Sequence, residues 1–289
     1  MKKIAVMSDS NCGLSIVQAE DMGVFMLPMP IIIEEKTYYE NVDITTEFFY
    51  EKQAQDANVS SSQPSPAQVM DMWKKILKEY DSIVYIPMTS ALSGSCQSAI
   101  MFANEFDGKV QVVDNRRISA TQIGAIEHAL KLVKEGKEAK EIKEILEAEA
   151  LDASIYITVD TLKYLKKGGR ITPAAAAVGA MLHIKPILTI QGEKLDACSK
   201  ARGMKAAFRT MVKHLHEDIA TRFAQYDNDG ELAIAMANTY MEKEEVEQWK
   251  TKLQEEFPGY PLIYAPLTLS IGCHIGPGGL GIGVVRIHR

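Results

Sequence analysis

Over its first 150 residues the chain alternates short apolar runs with amphipathic stretches, and few folds accommodate that order. Lys3 to Met7, Asp81 to Met88 and Lys109 to Asp114 have the length and apolar content of buried strands. A helix signal follows the region of each. After Ser65-Pro66, the residues Val69, Met72, Trp73, Ile76 and Leu77 recur at three- and four-residue steps. Ser65 suits an N-cap, Pro66 the first turn, and Gln68 completes a capping box. Further helices are predicted over Ser93 to Phe106 and Ser119 to Lys134, with a solvated, alternately charged one over Glu138 to Ala150. Strands separated by helices pair in parallel, and helices then cover both faces. The reading for this half is an α/β, doubly wound parallel sheet. A run from Val24 to Ile33, broken by Pro28 and Pro30, fits an edge or irregular strand.

Beyond Ser154 the pattern changes. Ile184 to Ile190 and Lys194 to Cys198 flank Gln191-Gly192-Glu193 as a hairpin would. A helix over Met204 to Gln225, a strand over Leu232 to Ala237 and a helix over Lys243 to Phe257 come next. Strands over Leu262 to Ile271 and Leu280 to Ile287 close the chain. Hairpins mixed with helices predict a two-layer α+β domain with a mixed sheet. The expected domains are residues 1–155 and 156–289.

Composition narrows the function. A net charge of -6 argues against a nucleic-acid partner, which favours a basic face. The four cysteines, Cys12, Cys96, Cys198 and Cys273, form no C-x-x-C pair and read as small buried thiols. Ile4 to Met7 is too short for a signal-peptide core, and the longest apolar stretch, Ala174 to Leu182, falls well below the ~18 residues of a membrane span. A cytoplasmic protein is expected.

Four small polar segments sit at the ends of apolar runs, where open α/β folds bind ligands. They are Ser8-Asp9-Ser10, Ser61 to Pro66, Thr89 to Ser95, and Gly272 to Gly279. They offer hydroxyls, one imidazole and backbone N–H groups, without a carboxylate cluster or thiol pair. That inventory suits holding an anionic head group. Ser93 lies between a strand and a helix, where it either serves an anion site or caps the helix. With Ala91 and Ser95 around it, the segment departs from the G-x-S-x-G nucleophile elbow. His274, set among glycines, has a ring N–H to offer a carboxylate. His128, His183, His214, His216 and His288 have weaker contexts; His214 and His216 point to different helix faces, and no metal is expected. The glycines from Gly276 to Gly283 lack the spacing and position of a dinucleotide loop. Among the basic stretches, Arg170 and Arg202 are the better candidates for a contact, because helix-end lysines account for most of the rest.

In this order the segments resemble the DegV family of bacterial fatty-acid-binding proteins. The likeness includes Leu92-Ser93-Gly94 with Gln97-Ser98-Ala99, Val112-Val113-Asp114, Leu162 to Ile171, Lys185 to Leu188, Lys200-Ala201-Arg202, and His274 to Gly278. It implies two domains with a long-chain fatty acid between them, its acyl chain in an apolar tunnel. By that resemblance Ser61, Ser93 and His274 contact the carboxylate, with Ser62 and Gln63 beside them. It further implies a non-catalytic carrier without cofactor or metal, which presents the carboxylate to an ATP-dependent fatty acid kinase for phospholipid synthesis. Arg170 and Arg202 would then face the kinase, and transient contact with a membrane surface is compatible with the role. Ser61 replaces the family's usual Thr, and Ala91 a common Gly. The chain's 14 methionines would suit a flexible apolar ligand as well as a core. Two alternatives are a lipid-responsive regulator and a hydrolase with Ser93 as nucleophile and His274 as base. The hydrolase would need Asp9 or Asp114 to orient the histidine.

Overall fold

The computed structural model describes residues 2–40, 42–177 and 184–288; His183 and the end of the Ala174-to-Leu182 run lie outside them. The described residues form thirteen strands: β1 (Ile4–Asp9), β2 (Val24–Leu27), β3 (Pro30–Ile33), β4 (Lys36–Tyr39), β5 (Val59–Ser61), β6 (Ser82–Ile86), β7 (Val110–Val112), β8 (Ala153–Thr158), β9 (Ile184–Ile190), β10 (Asp196–Arg202), β11 (Leu232–Asn238), β12 (Leu262–Tyr264) and β13 (Leu280–Arg286).

The first sheet has the order β2-β1-β6-β7, and every pair in it is parallel. Alternation along β1 explains why both faces are covered. Ile4 and Val6 join Ile123, Ile126, Ile142 and Leu146 from the helices Ala120–Lys134 and Ala139–Ala148. Ala5 and Met7 join Val69, Trp73, Ile76 and Ala99 from the helices Pro66–Ile76 and Ser95–Ala103. The capping box at Ser65 and Gln68 forms as the sequence predicts.

The run from Val24 to Ile33 is two strands in two sheets. Its first half pairs with β1, and its second half enters a small antiparallel sheet of order β4-β3-β5. Pro28 and Pro30 have no N–H for a ladder, and the N–H of Met29 between them donates to Ser10 Oγ at 3.1 Å. The chain changes sheets there.

The remaining strands form a mixed sheet of order β10-β9-β8-β13-β11-β12, antiparallel except for β11 with β12. On one face the helices Met204–Ala220 and Lys243–Glu256 bury Phe208, Met211, Leu215, Trp249 and Leu253 against Leu280, Ile282 and Val284. Small residues line the other face: Ala235 and Ala237 on β11, Gly281 and Gly283 on β13. Helix Ala120–Lys134 lies between this face and the parallel sheet. Its Ile126 belongs to the core over β1, while a Cβ on its Gly124 would come 3.0 Å from Val285 Cγ2 of β13.

One expected strand is corrected. Of Leu262 to Ile271 only Leu262–Tyr264 is a strand, and Leu269–Ile275 is a helix. Pro266 interrupts the run, Thr268 takes the extended backbone of an N-cap, and the apolar residues after it bury on a helix.

Candidate functional site

The helix Leu269–Ile275 carries His274, so this residue stands on a helical turn and the glycine loop begins after it. β5 ends in Ser61, and Ser93 directly precedes the helix Ser95–Ala103. These segments border one cleft of about 310 Å³, lined by Ser61, Ser62, Gln63, Ser93, Arg170 and His274, with Asn11 and Ser270 deeper in. Ser61 Oγ lies 2.9 Å from His274 Nε2. Burial, reinforced by the positive charge of Arg170, lowers the His274 pKa to about 4, so the imidazole is neutral at physiological pH. The far side of the ring packs on Gly168, where a Cβ would meet Nδ1 at 2.2 Å.

The Ser93 hydroxyl accepts the Ser95 N–H at 3.2 Å and donates to Ser95 Oγ at 3.0 Å, which satisfies the helix start while leaving Ser93 on the cleft wall. Gly94 occupies the N-cap position itself. Gln63 Oε1 accepts from Ser98 Oγ at 3.2 Å, and the Ser62 N–H donates to Pro30 O at 3.1 Å. Arg170 is half-buried in the same wall, its Nε donating to Leu92 O at 3.2 Å and its Nη1 to Gly168 O. Arg202 is exposed at the end of β10, outside the cleft lining.

Ser8-Asp9-Ser10 serves the fold. The Asp9 carboxylate accepts the N–H groups of Asn11 (3.0 Å) and Met88 (2.8 Å), and burial raises its pKa to about 6. Asp114 accepts from the N–H and hydroxyl of Ser90. His274 Nε2 faces Ser61, so the Ser93–His274 pairing that a hydrolase requires is not formed here.

Beneath the polar mouth lies a narrow cavity of about 60 Å³ with a wholly apolar exposed lining. Leu92, Ile118, Leu195, Ile271 and Ile275 border both spaces, so the two are adjacent across a shared apolar wall. The floor of the cavity is the small-residue face of the mixed sheet. The signal for this floor was present as alternation: Ala233, Ala235 and Ala237 along β11, then Gly281 and Gly283 between large residues along β13. Sequence reasoning gave no role in the cleft to Ser270 or Asn11, and read Gly168 only as part of the Leu162-to-Ile171 motif; the contact of Gly168 with His274 is long-range.

Among the described residues, His128, Glu149 and His288 group their donor atoms within 4.8 Å of one another. The two rings stack 3.4 Å apart at 12°, so their in-plane lone pairs do not converge on one ion. Glu149 Oε2 instead contacts both, at 2.9 and 3.1 Å, and Arg286 lies 3.6 Å from its other oxygen. The group ties the end of the chain to two helices.

The fold and site define an α/β protein of two large sheets and one small one, whose hydroxyl- and imidazole-lined mouth adjoins an apolar cavity. Residues 3–286 match the family described as "Uncharacterised protein, DegV family", and the chain belongs to that family. It is 28% identical over 293 residues to a DegV domain-containing protein of Caldanaerobacter subterraneus, covering 98% of each chain. A fatty-acid-binding DegV family protein of Thermus thermophilus superposes with a TM-score of 0.86 at 27% identity, over 99% of this chain and 100% of that one. A fatty-acid-binding DegV family protein of Streptococcus agalactiae gives a TM-score of 0.86 at 26% identity, over 100% of both chains. No helix among the described residues is long and apolar enough to cross a membrane.

Proposed function

We propose that this protein binds a long-chain fatty acid, with residues 1–155 and 156–289 as two domains enclosing the acyl chain, and presents its carboxylate to a kinase. The observation that carries this reading is the polar mouth adjoining an apolar cavity across shared wall residues; similarity to fatty-acid-binding relatives supports it. Burial of each methylene contributes ~0.8 kcal/mol, so the chain supplies affinity and the mouth supplies orientation. Ser61, Ser93 and neutral His274, flanked by Ser62 and Gln63, offer donors to the head group, and Arg170 adds positive charge in the wall. The kinase would bring ATP; a carboxylate oxygen attacks the γ-phosphorus, ADP leaves, and an acyl phosphate forms.

Denaturing the purified protein should release a long-chain fatty acid in stoichiometric amount, identified by mass spectrometry. Protein that emerges empty and takes up no such acid in calorimetry refutes the reading. Ser93→Ala and His274→Ala should each weaken binding by ~1–3 kcal/mol, the usual cost of stranding a buried polar group. If both touch one carboxylate, the double variant loses less than the sum; strictly additive losses would assign them to separate contacts.

The kinase half of the reading has its own test. Arg202, exposed and outside the cleft lining, suits a contact with the surface of the docked kinase. Arg202→Ala should leave fatty-acid affinity unchanged and lower acyl-phosphate formation in the presence of kinase. Arg170→Ala should lower both, because this residue also walls the cleft. Wild-type turnover in both variants would remove them from the docking surface.

A further inference from the structure

The placement of the helix Leu269–Ile275 sets the site, because it brings Ser270, Ile271, His274 and Ile275 to the cleft. Its own N-cap does not cap it. Thr268 has the extended backbone of that position (ψ 162°), yet its Oγ1 turns to Asn11 Oδ1 at 3.3 Å and Ser270 Oγ at 3.2 Å. The first N–H of the helix is satisfied from a distant part of the chain: Leu269 N donates to Glu40 Oε2 at 2.9 Å. Gln53 Nε2 holds the middle of the same helix through Gly272 O at 3.1 Å. Tyr50 packs so closely that a Cβ on Gly272 would lie 2.5 Å from its hydroxyl. Glu40 directly follows β4, and Ser61 ends β5 of the same small sheet. One segment of the chain therefore supplies Ser61 and also grips the helix that carries His274.

We propose that Glu40 is a positioning residue for the head-group site, fixing the helix Leu269–Ile275 from outside so that His274 stays against Ser61. This rests on the fatty-acid reading above. Glu40 does not line the head-group cleft; it faces a separate one of about 690 Å³ across the helix, shared with Glu47, Tyr50, Lys243 and Lys250. Burial raises its pKa to about 7. The Cys273 thiol, also pushed up by burial, to about 12, and the Tyr50 phenol interact with it electrostatically, and both are uncharged; Glu47, Lys243 and Lys250 share its cleft. A folded-state pKa above the ordinary 4.5 means that the native protein retains a proton the unfolded chain has released. The contribution of Glu40 to stability therefore declines as pH rises from 4.5 to about 7.

The test compares Glu40→Ala with Glu40→Gln, which keeps an acceptor oxygen. Palmitate affinity is measured by calorimetry, and the titration of the His274 ring by NMR. Glu40→Ala should lower affinity about fivefold, equivalent to the ~1 kcal/mol of a lost cap, and should move the His274 titration up towards the ordinary imidazole range. Glu40→Gln should keep both near wild type. Wild-type affinity and titration in Glu40→Ala, or equal losses in the two variants, would overturn the assignment. If Glu40→Ala fails to fold, Glu40→Asp decides, because it withdraws the acceptor by one methylene: a raised His274 titration supports the proposal and a wild-type one overturns it. If the wild-type protein takes up no palmitate, the fatty-acid reading fails, and the His274 titration still decides the role of Glu40.

Discussion

Gly168→Ala is expected to lower fatty-acid affinity by tenfold or more, equivalent to at least ~1.4 kcal/mol, while leaving the fold intact. The added methyl would lie 2.2 Å from His274 Nδ1 and 3.1 and 3.2 Å from two ring carbons. Gly168 ends the helix Lys163–Gly168, and the left-handed cap after it is taken by Gly169 at φ 67°, so alanine at 168 meets no backbone strain. The cost therefore falls on the imidazole, which must leave Ser61. Gly169→Ala is the matched control: nothing lies within 4 Å of its Cβ position, so it should lose only ~1–2 kcal/mol of stability to left-handed strain and keep its affinity. Calorimetry and circular dichroism on the two variants separate these outcomes. Wild-type affinity in Gly168→Ala would place His274 outside the head-group site.

Arg286→Ala is expected to remove about 3 kcal/mol of stability, the low end for breaking a buried ion pair, since some exposure remains. Its guanidinium lies 3.6 Å from Glu149, 3.5 Å from Asp152 and 2.9 Å from Glu231, and its side chain is 22% exposed. Removing it leaves those carboxylates together, with Arg117 the remaining guanidinium beside them through its bond to Glu149 O at 2.6 Å. Glu149 is itself informative about pH. Burial favours its neutral form, but the bonds and charges of His128 and His288 prevail and bring its pKa down to about 2. A depressed carboxylate contributes stability that is complete above the unfolded value near 4.5 and is lost as pH falls towards 2. Urea midpoints should show both effects. An unchanged midpoint in Arg286→Ala would mean that the cluster holds nothing.

The parts of this protein that follow local rules could be read from its sequence. Ser65 and Gln68 announce a helix because a capping box needs only three residues of spacing, and the double burial of Ile83 to Ile86 shows as an unbroken apolar run. The run ending at Ile271 was misread because an apolar stretch of that length suits a strand or a buried helix equally; the helix owes its start to Glu40, 229 residues away. The approach of Ser61 to His274 spans 213 residues, and no periodicity encodes it; their positions at the ends of apolar runs placed them in one group, and the family resemblance assigned them to one carboxylate. Arg170 stood out because helix ends do not explain it, but its bonds to Leu92 O and Gly168 O in the cleft wall are long-range or loop contacts that no local pattern encodes.

The helix Ala120–Lys134 touches both large sheets, and under the proposed function that bears on how fast a ligand would exchange. Parting the sheets would uncover Ile123 and Ile126 on one side, at ~1.5–3 kcal/mol for each such side chain, and break the contact of Gly124 with Val285 on the other. Opening along that seam is therefore rare. The small sheet β4-β3-β5 is braced as well, since Ile31, Ile33 and Val59 are buried with Phe49, Leu269 and Cys273. Under the proposed function both sides of the mouth are held by apolar packing, so an enclosed ligand would exchange slowly.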